Sequence, residues 1–328
     1  MKQLTISNVL GSALFFAATL APVALQAQDF PSRPITWIVP VGTGSGADNM
    51  ARLIAPKLAE RLKQPVIVEN KPGASQVIGM DFVAKAAPNG YTVVMMLNNI
   101  TMVPALIANV PFNLVSDFVG VSRIATSGMT LGVSTTTVPA KDVKELMTMM
   151  KASPGKFNYA TPGNGTTQHV GMELMRLRES LTLVHVPHKS INDANASLVG
   201  GHVHMMLGSA PAMKALESAG KIKMLAVTGP QRSSATPEIP TFGEMGFTYM
   251  NSVDSWWGMA APAKTPTAII TRLNRELRDI LAMPDISGAF AKQALAVAPT
   301  SSEELNALIK SDLERWGEVI RTAKITAD

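Results

Sequence analysis

The hydrophobic positions along the chain follow two alternating patterns. Short and nearly continuous apolar runs, beginning with residues 35–39, are typical of strands buried in a parallel sheet. Between them lie longer stretches, such as residues 50–62, in which apolar residues recur every three or four positions and predict amphipathic helices. Because strand and helix alternate almost to the end of the chain, the pattern predicts an α/β protein.

The same criteria assign the remaining elements. Further strands are predicted over residues 66–69, 91–97, 119–125, 130–134, 183–187, 202–207, 223–228 and 252–261. Further helices are predicted through residues 78, 82 and 83, through residues 170, 174 and 177, and up to residue 199. Others are predicted over residues 142–151, 267–281 and 303–322. Pro56 falls inside the first helix and is expected to kink it or break its hydrogen bonding, because proline has no N–H group.

A glycine-rich loop separates the first predicted strand from the first predicted helix. Residues 40–48 read Pro-Val-Gly-Thr-Gly-Ser-Gly-Ala-Asp. Glycine lets a backbone approach a ligand closely, and the free N–H groups at a helix start favour an anion. Capping the helix is an equally good role for the aspartate. The ligand-binding candidates in this loop are Val41, Thr43, Gly44, Ser45, Gly46 and Asp48.

Residues 158–168 repeat this arrangement of strand, glycine turn and helix. Their hydroxyl and amide groups lie beside a second predicted helix start, so two anion-binding ends are expected to face each other across a cleft. Turn and cap roles are equally compatible with these residue types. Asn98, at the carboxyl end of the third strand, is expected at the same crevice. The candidates in this second loop are Thr161, Asn164, Gly165, Thr166 and Thr167.

The chain offers few groups for catalysis or metal binding. Of its five histidines, His188 follows a strand near the predicted cleft and is retained as a candidate ligand contact. His202 and His204 would share one strand face, but solvated strand residues explain them better than a metal site. Because no nucleophile elbow, H-E-x-x-H or P-loop motif occurs, we expect no catalytic residue, metal or cofactor.

The first 27 residues have the outline of a secretory signal peptide. They contain one charge, Lys2, and an apolar core over residues 9–25. No second apolar run reaches the length of about 18 residues that spans a membrane. The absence of cysteine excludes disulfides and a lipid-anchored form. These features predict a free periplasmic protein of a Gram-negative bacterium.

Charge adds a weaker constraint. Removing Lys2 from the 29 basic residues leaves 28 against 24 acidic ones, a net charge of about +4. This excess would attract small anions. It is too dispersed for a nucleic-acid-binding face.

The first loop also fits a dinucleotide-binding fingerprint. Residues 42–47, Gly-Thr-Gly-Ser-Gly-Ala, match G-x-G-x-x-G/A, and the next strand carries Glu69. That acid lies somewhat further along than the usual 20 or so residues. An NAD-dependent oxidoreductase is therefore retained as an alternative, and the predicted signal peptide argues against it.

Several ordered motifs together resemble one family over essentially the whole mature chain. They are Pro-Ser-Arg-Pro-Ile at 31–35, Gly-x-Gly-Ala-Asp at 44–48, Val-Glu-Asn-Lys-Pro-Gly at 68–73, Ala-Pro-Asn-Gly-Tyr at 87–91, Asn-Tyr-Ala at 158–160, Gly-Asn-Gly-Thr at 163–166, Val-His-Val-Pro at 184–187, Leu-Ala-Val-Thr at 225–228 and Ser-Trp-Trp-Gly at 255–258. With these motifs the chain resembles the Bug-type solute-binding receptors of tripartite tricarboxylate transporters.

The resemblance implies a two-lobed Venus-flytrap protein that holds a small carboxylate between its lobes and delivers it to membrane permease subunits. Residues 28–125 and 253–328 would form the first lobe and residues 126–252 the second, with hinges near Ala125 and Ser252. A ligand sensor for a signalling partner remains a further alternative, and a monomer is expected.

This chain departs from the usual family pattern at four positions. Family members usually have an aromatic residue at Val41, glycine at Ser45 and tyrosine at His188, and often aspartate at Gly208. Gly208 is retained as a candidate ligand contact. Without an acid at this position, the resemblance favours a ligand with carboxylates and an apolar or aromatic body over an amino acid.

Overall fold

The computed structural model describes residues 30–326, and the predicted α/β alternation is confirmed there. Its strands are β1 (Ile35–Val39), β2 (Val66–Asn70), β3 (Thr92–Leu97), β4 (Phe118–Ser134), β5 (Phe157–Thr161), β6 (Leu183–Pro187), β7 (Met205–Ser209), β8 (Ile222–Val227), β9 (Asp254–Pro262) and β10 (Ala296–Val297). Its helices are α1 (Gly46–Leu62), α2 (Val77–Ala84), α3 (Val103–Leu106), α4 (Val143–Ala152), α5 (Thr167–Arg178), α6 (Ile191–Val199), α7 (Ala210–Ser218), α8 (Thr267–Leu281), α9 (Pro284–Ala291) and α10 (Ser302–Ala323). The predicted signal peptide lies outside the described residues.

The strands form one continuous sheet in the order β2-β1-β3-β9-β4-β7-β5-β6, with β8 and β10 paired to β4. At one end β1 is parallel to β2 and β3, and at the other β5 is parallel to β6 and β7. Antiparallel pairs join these two blocks through β9 and β4. The sheet therefore consists of two parallel blocks connected by a pair of long central strands.

Strand β4 differs from the sequence prediction of two separate strands. It runs without interruption for 17 residues. The first part pairs with β9 as far as Gly128, and the part from Met129 onwards pairs with β7 and β8. Residues 126–128, which lie between the two predicted strands, are the place where the strand passes from one block to the other.

Three further differences are local. Helix α1 continues through Pro56, because packing of its apolar face outweighs one lost hydrogen bond. Strand β7 begins at Met205, so His202 and His204 precede it. Helices α3, α7 and α9 and the two-residue strand β10 were not predicted, and β10 pairs with β4.

The C-terminal helix α10 contacts both blocks of the sheet. Ser301 and Glu304 form a capping box at its start. Leu305 and Ile309 then pack with residues of β3 and α2, whereas Trp316 and Val319 pack in a second cluster with residues of β5, β7 and α5. Helix α10 therefore connects the cores on either side of the central strands.

No helix within residues 30–326 combines the length and apolar character needed to cross a membrane.

Gly128 is expected to tolerate no side chain, because a Cβ atom there would lie 2.2 Å from the Thr228 carbonyl oxygen. Gly128→Ala should lower the free energy of unfolding by about 1–3 kcal/mol, as overpacking does elsewhere. Urea unfolding of the mature chain measures this difference. Gly288→Ala in α9 is the matched control: its Cβ would meet nothing within 4 Å, so it should be neutral or stabilise by up to about 1 kcal/mol. Equal stability of the two variants would contradict the close approach of Gly128 to the Thr228 carbonyl oxygen.

Candidate ligand-binding site

The second glycine loop connects β5 to α5 and is shaped by two glycines with positive φ. Gly163 has φ 132° and Gly165 has φ 68°, values that favour glycine. Thr166 caps α5, since its hydroxyl accepts a hydrogen bond from the His169 N–H at 3.3 Å. The first N–H groups of the helix, those of Thr167 and Gln168, have no acceptor within it. The loop therefore presents a helix N-terminus suited to an anion.

A cavity of about 420 Å³ adjoins this helix N-terminus. One side is formed by the second glycine loop and the start of α5, and the other by residues that follow β2 and β3. The lining residues are Ser75, Asn99, Val103, Leu106, Ile107, Asn164, Gly165, Thr166, Thr167 and Gln168. Elements on both sides of the central strands thus enclose one cavity.

The two walls of this cavity differ in chemistry. The α5 side supplies hydroxyl, amide and backbone N–H groups, whereas Leu106 and Ile107 at the end of α3 supply apolar surface. The walls also come very close together at one point, because a Cβ atom on Gly165 would lie 2.8 Å from Leu106 Cδ1. A solute with an anionic end and an apolar body fits this arrangement.

The segment before α2 reaches the cavity through a strained turn. Ala74, Ser75 and Gln76 have φ of 46°, 52° and 82°, and such values are uncommon outside glycine and asparagine. Ser75 lines the cavity. Gln76 is 3 % exposed, and neither atom of its amide has a hydrogen-bond partner among the described residues. Strain and an unsatisfied buried amide both occur often at functional sites.

The first glycine loop is organised around the Asp48 carboxylate, which is 1 % exposed. This carboxylate accepts hydrogen bonds from the Gly44 N–H at 2.9 Å, from the Asn70 amide at 2.9 Å and from Arg52 Nε at 3.0 Å. Asn70 also donates to the Val41 carbonyl oxygen at 3.0 Å. The hydrogen bond from Arg52 is the main cause that lowers the pKa of Asp48. Asp48 therefore remains ionised at neutral pH.

These contacts settle which residue caps α1. Ser45 is the N-cap, and its hydroxyl accepts the Asp48 N–H at 3.3 Å. Asp48 lies in the first turn of α1. The Gly44 N–H donates to the Asp48 carboxylate, so this N–H is not available to a phosphate. This geometry argues against the dinucleotide fingerprint. Of the other candidates in the loop, Val41 and Ser45 are half-buried, whereas Thr43, Gly44 and Gly46 are exposed.

Four other predicted contacts do not line this cavity. The Asn98 amide donates to the Asp254 carbonyl oxygen at 3.2 Å, and its neighbour Asn99 lines the cavity instead. Thr161 is fully buried behind the loop and bonds His185. His188 Nδ1 lies 3.0 Å from the Val186 carbonyl oxygen. A Cβ atom on Gly208 would lie 2.2 Å from Met213 Cε, so a side chain there would point into packed residues.

The structure thus brings together Asn164, Gly165, Thr166 and Thr167 of the predicted contacts. The residues on the opposite wall and Gln168 were not predicted. The one sequence feature that pointed to the opposite wall was the pair Asn98-Asn99 at the end of β3. Because these residues form a short 3₁₀ turn over Asn98–Thr101, sequence alone does not determine which of the two faces the cavity.

A second cavity, of about 550 Å³, lies where β4, β9 and β10 meet. Its charged groups already have partners. Arg123 Nε donates to the Ala298 carbonyl oxygen at 3.1 Å, and Arg232 forms an ion pair with Glu244 at 2.9 Å. Asp254 accepts the Thr126 hydroxyl, and burial raises the pKa of this carboxyl. The cavity beside α5, with its helix N-terminus, is the better candidate for binding an anion.

His202 and His204 precede β7, and both hydrogen-bond Asn158. His204 Nδ1 lies 2.5 Å from the Asn158 side-chain oxygen and 3.2 Å from the Asn158 backbone nitrogen, and burial lowers the pKa of His204. Within residues 30–326 no three histidine, aspartate or glutamate side chains cluster closely enough to hold a metal ion.

A family comparison assigns most of the chain. Residues 50–325 match the model of the tripartite tricarboxylate transporter family receptor. This chain belongs to that receptor family. It is 33 % identical over 325 residues to a UPF0065 protein in the tcbD-tcbE intergenic region of Pseudomonas sp. strain P51, covering 98 % of this chain and 95 % of the relative. It is 30 % identical to protein BugT of Bordetella pertussis, covering 98 % of each chain.

Solved structures of similar proteins have the same fold. A TctC solute-binding protein from Polaromonas, solved without ligand, is 28 % identical with a TM-score of 0.80, covering 89 % of this chain and 99 % of that one. A Rhodopseudomonas palustris protein with adipate is 29 % identical with a TM-score of 0.71, covering 92 % and 100 %. MatC from the same species, with bound malate, is 26 % identical with a TM-score of 0.67, covering 89 % and 100 %.

The tripartite tricarboxylate transporter receptors are solute-binding proteins, and this chain has their two-lobed periplasmic binding-protein fold. The predicted Bug-type membership and fold class are therefore confirmed.

The Asp48 network gives a prediction for the first loop. Asp48→Asn keeps the shape but removes the charge, and should lower the free energy of unfolding at pH 7 by about 1–3 kcal/mol. Because the folded pKa is lowered, the wild-type advantage is present above the unfolded pKa, near 4. It should be lost as pH falls through the folded value. Urea unfolding at a series of pH values measures both effects.

Asp285→Asn is the control for this experiment. Asp285 pairs with Lys57 at 3.3 Å but is 60 % exposed, so its substitution should cost less than about 0.5 kcal/mol. A difference between wild type and Asp48→Asn that stays constant down to low pH would contradict the ionised network.

Proposed function

We propose that this protein captures a small carboxylate-containing solute in the periplasm and delivers it to the membrane subunits of a tripartite tricarboxylate-type transporter. The observation that carries the proposal is the cavity beside α5. A helix N-terminus forms one wall and an apolar surface the other, and the walls come from opposite sides of the central strands. Membership of the receptor family supports both the capture and the delivery.

In this proposal the α5 N-terminus binds one carboxylate. The N–H groups of Thr167 and Gln168 and the positive end of the helix dipole favour a negative charge there. The apolar surface of Leu106 and Ile107 then contacts the body of the solute. The adipate complex of the Rhodopseudomonas palustris relative supports an acid with an aliphatic body.

Polar groups at the other end of the cavity would bind a second acceptor. Asn99 and Ser75 line the cavity there. The Gln76 amide, in the strained turn at 74–76, has no hydrogen-bond partner within the described residues, so it is available to form a new hydrogen bond when the solute binds. Val41, Thr43 and Gly46 of the first glycine loop would also contact the solute. Hydrogen bonds of Asp48 and Asn70 to the loop backbone hold its conformation.

Binding would be coupled to closure of two lobes, residues 28–125 with 253–328 and residues 126–252, about hinges near Ala125 and Ser252. A solute that touches both walls favours the closed state through its additional contacts there. Helix α10 packs on both sides of the central strands. Closure must therefore either preserve these helix contacts or rearrange them. The apolar run at residues 9–25 is proposed as the core of a signal peptide that directs the protein to the periplasm.

Thermal unfolding of the refolded, ligand-stripped mature chain tests this function against mono- and dicarboxylates, aromatic acids, amino acids and NAD. A ligand at about 100 times its dissociation constant should add roughly 2.7 kcal/mol and raise the midpoint by about 5 °C. We expect shifts with aliphatic or aromatic carboxylates and none with NAD. A shift with NAD alone would reverse the assignment in favour of an oxidoreductase.

A charge placed at the α5 N-terminus tests where the acid binds. Gln168→Glu should weaken binding of the best acid from this panel by at least about tenfold, because like charges repel. The fold itself should not suffer, since a negative side chain is favourable in the first turn of a helix. Titration calorimetry and thermal unfolding measure the two effects separately.

Gln231→Glu is the matched control for this charge. Gln231 is exposed and lines the cavity at β4, β9 and β10. It should leave affinity unchanged. Loss of affinity in Gln231→Glu, with none in Gln168→Glu, would move the site to that cavity.

A further inference from the structure

The buried amide of Gln76 makes no hydrogen bond within the described residues. The side chain is 3 % exposed, and both polar atoms of the amide, Nε2 and Oε1, lack a partner there. A buried donor and acceptor that stay unpaired lower the stability of a fold. Buried amides are therefore almost always paired, and a bound solute or a buried water can supply a partner that the chain does not.

The backbone around Gln76 is unfavourable as well. Ala74, Ser75 and Gln76 are three consecutive residues with φ in the left-handed region, which a Cβ atom disfavours. Glycine would avoid this cost at each of the three positions. The Gln76 N–H donates to the Gly73 carbonyl oxygen at 3.0 Å, which closes the turn. Strain and an unpaired buried amide thus coincide in one short segment.

Both chain neighbours of Gln76 belong to one wall of the cavity beside α5. Ser75 lines the cavity directly. Val77 packs against the hydrophobic cluster that contains Val103, and Val103 also lines the cavity. Gln76 itself does not line it. Because consecutive Cα atoms are only about 3.8 Å apart, a change of rotamer or of the backbone at 75–76 can bring the amide to a solute.

The helix after this turn is fixed by close packing. A Cβ atom on Gly79 would lie 2.7 Å from Pro40 Cβ and 2.8 Å from the Lys71 carbonyl oxygen. Helix α2 therefore lies directly against the residues that follow β1 and β2. The turn before it is different, because Ala74 and Ser75 are exposed. A rearrangement on solute binding is expected in the turn and not in the helix.

The wall at this end of the cavity is polar and uncharged. The Gln76 amide offers an acceptor oxygen and a donor nitrogen, and Ser75 and Asn99 likewise both donate and accept. None of the described residues that line the cavity carries a charge. A hydroxyl or amide on the solute uses both functions of Gln76, whereas a second carboxylate can only accept and a methyl group uses neither.

We propose that Gln76 is a specificity-determining residue: its amide turns to the solute on binding and selects acids whose far end carries a hydroxyl or an amide. The inference rests on the proposed function, because it assumes that the α5 N-terminus binds a carboxylate. It adds the chemical class of the other end of the solute. The hydrogen bonds gained there offset the cost of the strained turn and of the unpaired amide.

Titration calorimetry of the mature chain with hexanoate, adipate and 6-hydroxyhexanoate tests this selection. The three acids have the same chain length and differ in the group at the far end. Wild type should bind 6-hydroxyhexanoate at least about tenfold more tightly than hexanoate, because it forms additional hydrogen bonds. Gln76→Leu removes the amide but keeps an unbranched Cβ. It should weaken binding of 6-hydroxyhexanoate by about tenfold and leave hexanoate unchanged.

Thermal unfolding without solute separates this role from a structural one. Gln76→Leu should be at least as stable as wild type, because it removes a buried amide that has no partner in the fold. A lower midpoint for Gln76→Leu would mean that the amide has a structural partner, such as a buried water. That result would overturn the proposal.

Gln293→Leu is the matched control. Gln293 follows α9, is exposed and lies outside the cavity lining, so its substitution should change none of the three affinities. An unchanged ratio of 6-hydroxyhexanoate to hexanoate affinity in Gln76→Leu would overturn the proposal and leave the proposed function standing. So would tighter binding of adipate than of 6-hydroxyhexanoate by wild type. If none of the three acids binds wild type, the proposed function fails and the inference fails with it.

Discussion

The site depends on the pairing of β4 with β9. These antiparallel strands run side by side from Phe118 opposite Pro262 to Gly128 opposite Asp254. One parallel block is attached to β9 through β3 and the other to β4 through β7. Because this pair sets the distance and direction between the blocks, it determines that the residues following β3 face the loop following β5. Without it, neither wall of the cavity would have a partner.

Helix α10 reinforces the same connection from one side. Its residue Asp312 accepts the indole N–H of Trp256, on β9, at 2.8 Å and pairs with Arg315. Burial raises the pKa of this carboxyl to about 6, and Arg315 opposes the shift. A buried carboxyl group is thus placed where β9 meets the helix that contacts both cores. Any movement of the blocks against each other has to accommodate this contact.

The two glycine loops resemble each other in sequence and differ in structure. Both follow a strand and begin a helix, and both helices have a hydroxyl N-cap. In the first loop the Asp48 carboxylate takes the Gly44 N–H, so the protein provides its own anion. In the second loop the equivalent N–H, that of Gly165, donates to His169 Nδ1 at 3.2 Å. The first turn of α1 therefore carries a negative side chain, whereas the first turn of α5 carries none.

Sequence reasoning gave most of the elements correctly because strand and helix periodicities differ clearly. It recovered β1, β6 and α8 with their observed ends, and it located the second loop. The opposite wall could not be predicted, since Leu106 reaches the cavity only through the packing of the short helix α3 against a loop about 60 residues later. Local patterns carry no information about such long-range contacts. The same limit applies to the pair Asn98-Asn99, because the sequence does not determine which of the two lines the cavity.

A crystal structure of the mature chain grown with adipate tests the central claim most directly. The account predicts one carboxylate of adipate at the N–H groups of Thr167 and Gln168, with its methylene chain against Leu106. Adipate in the cavity between β4, β9 and β10, with the space beside α5 empty, would contradict it.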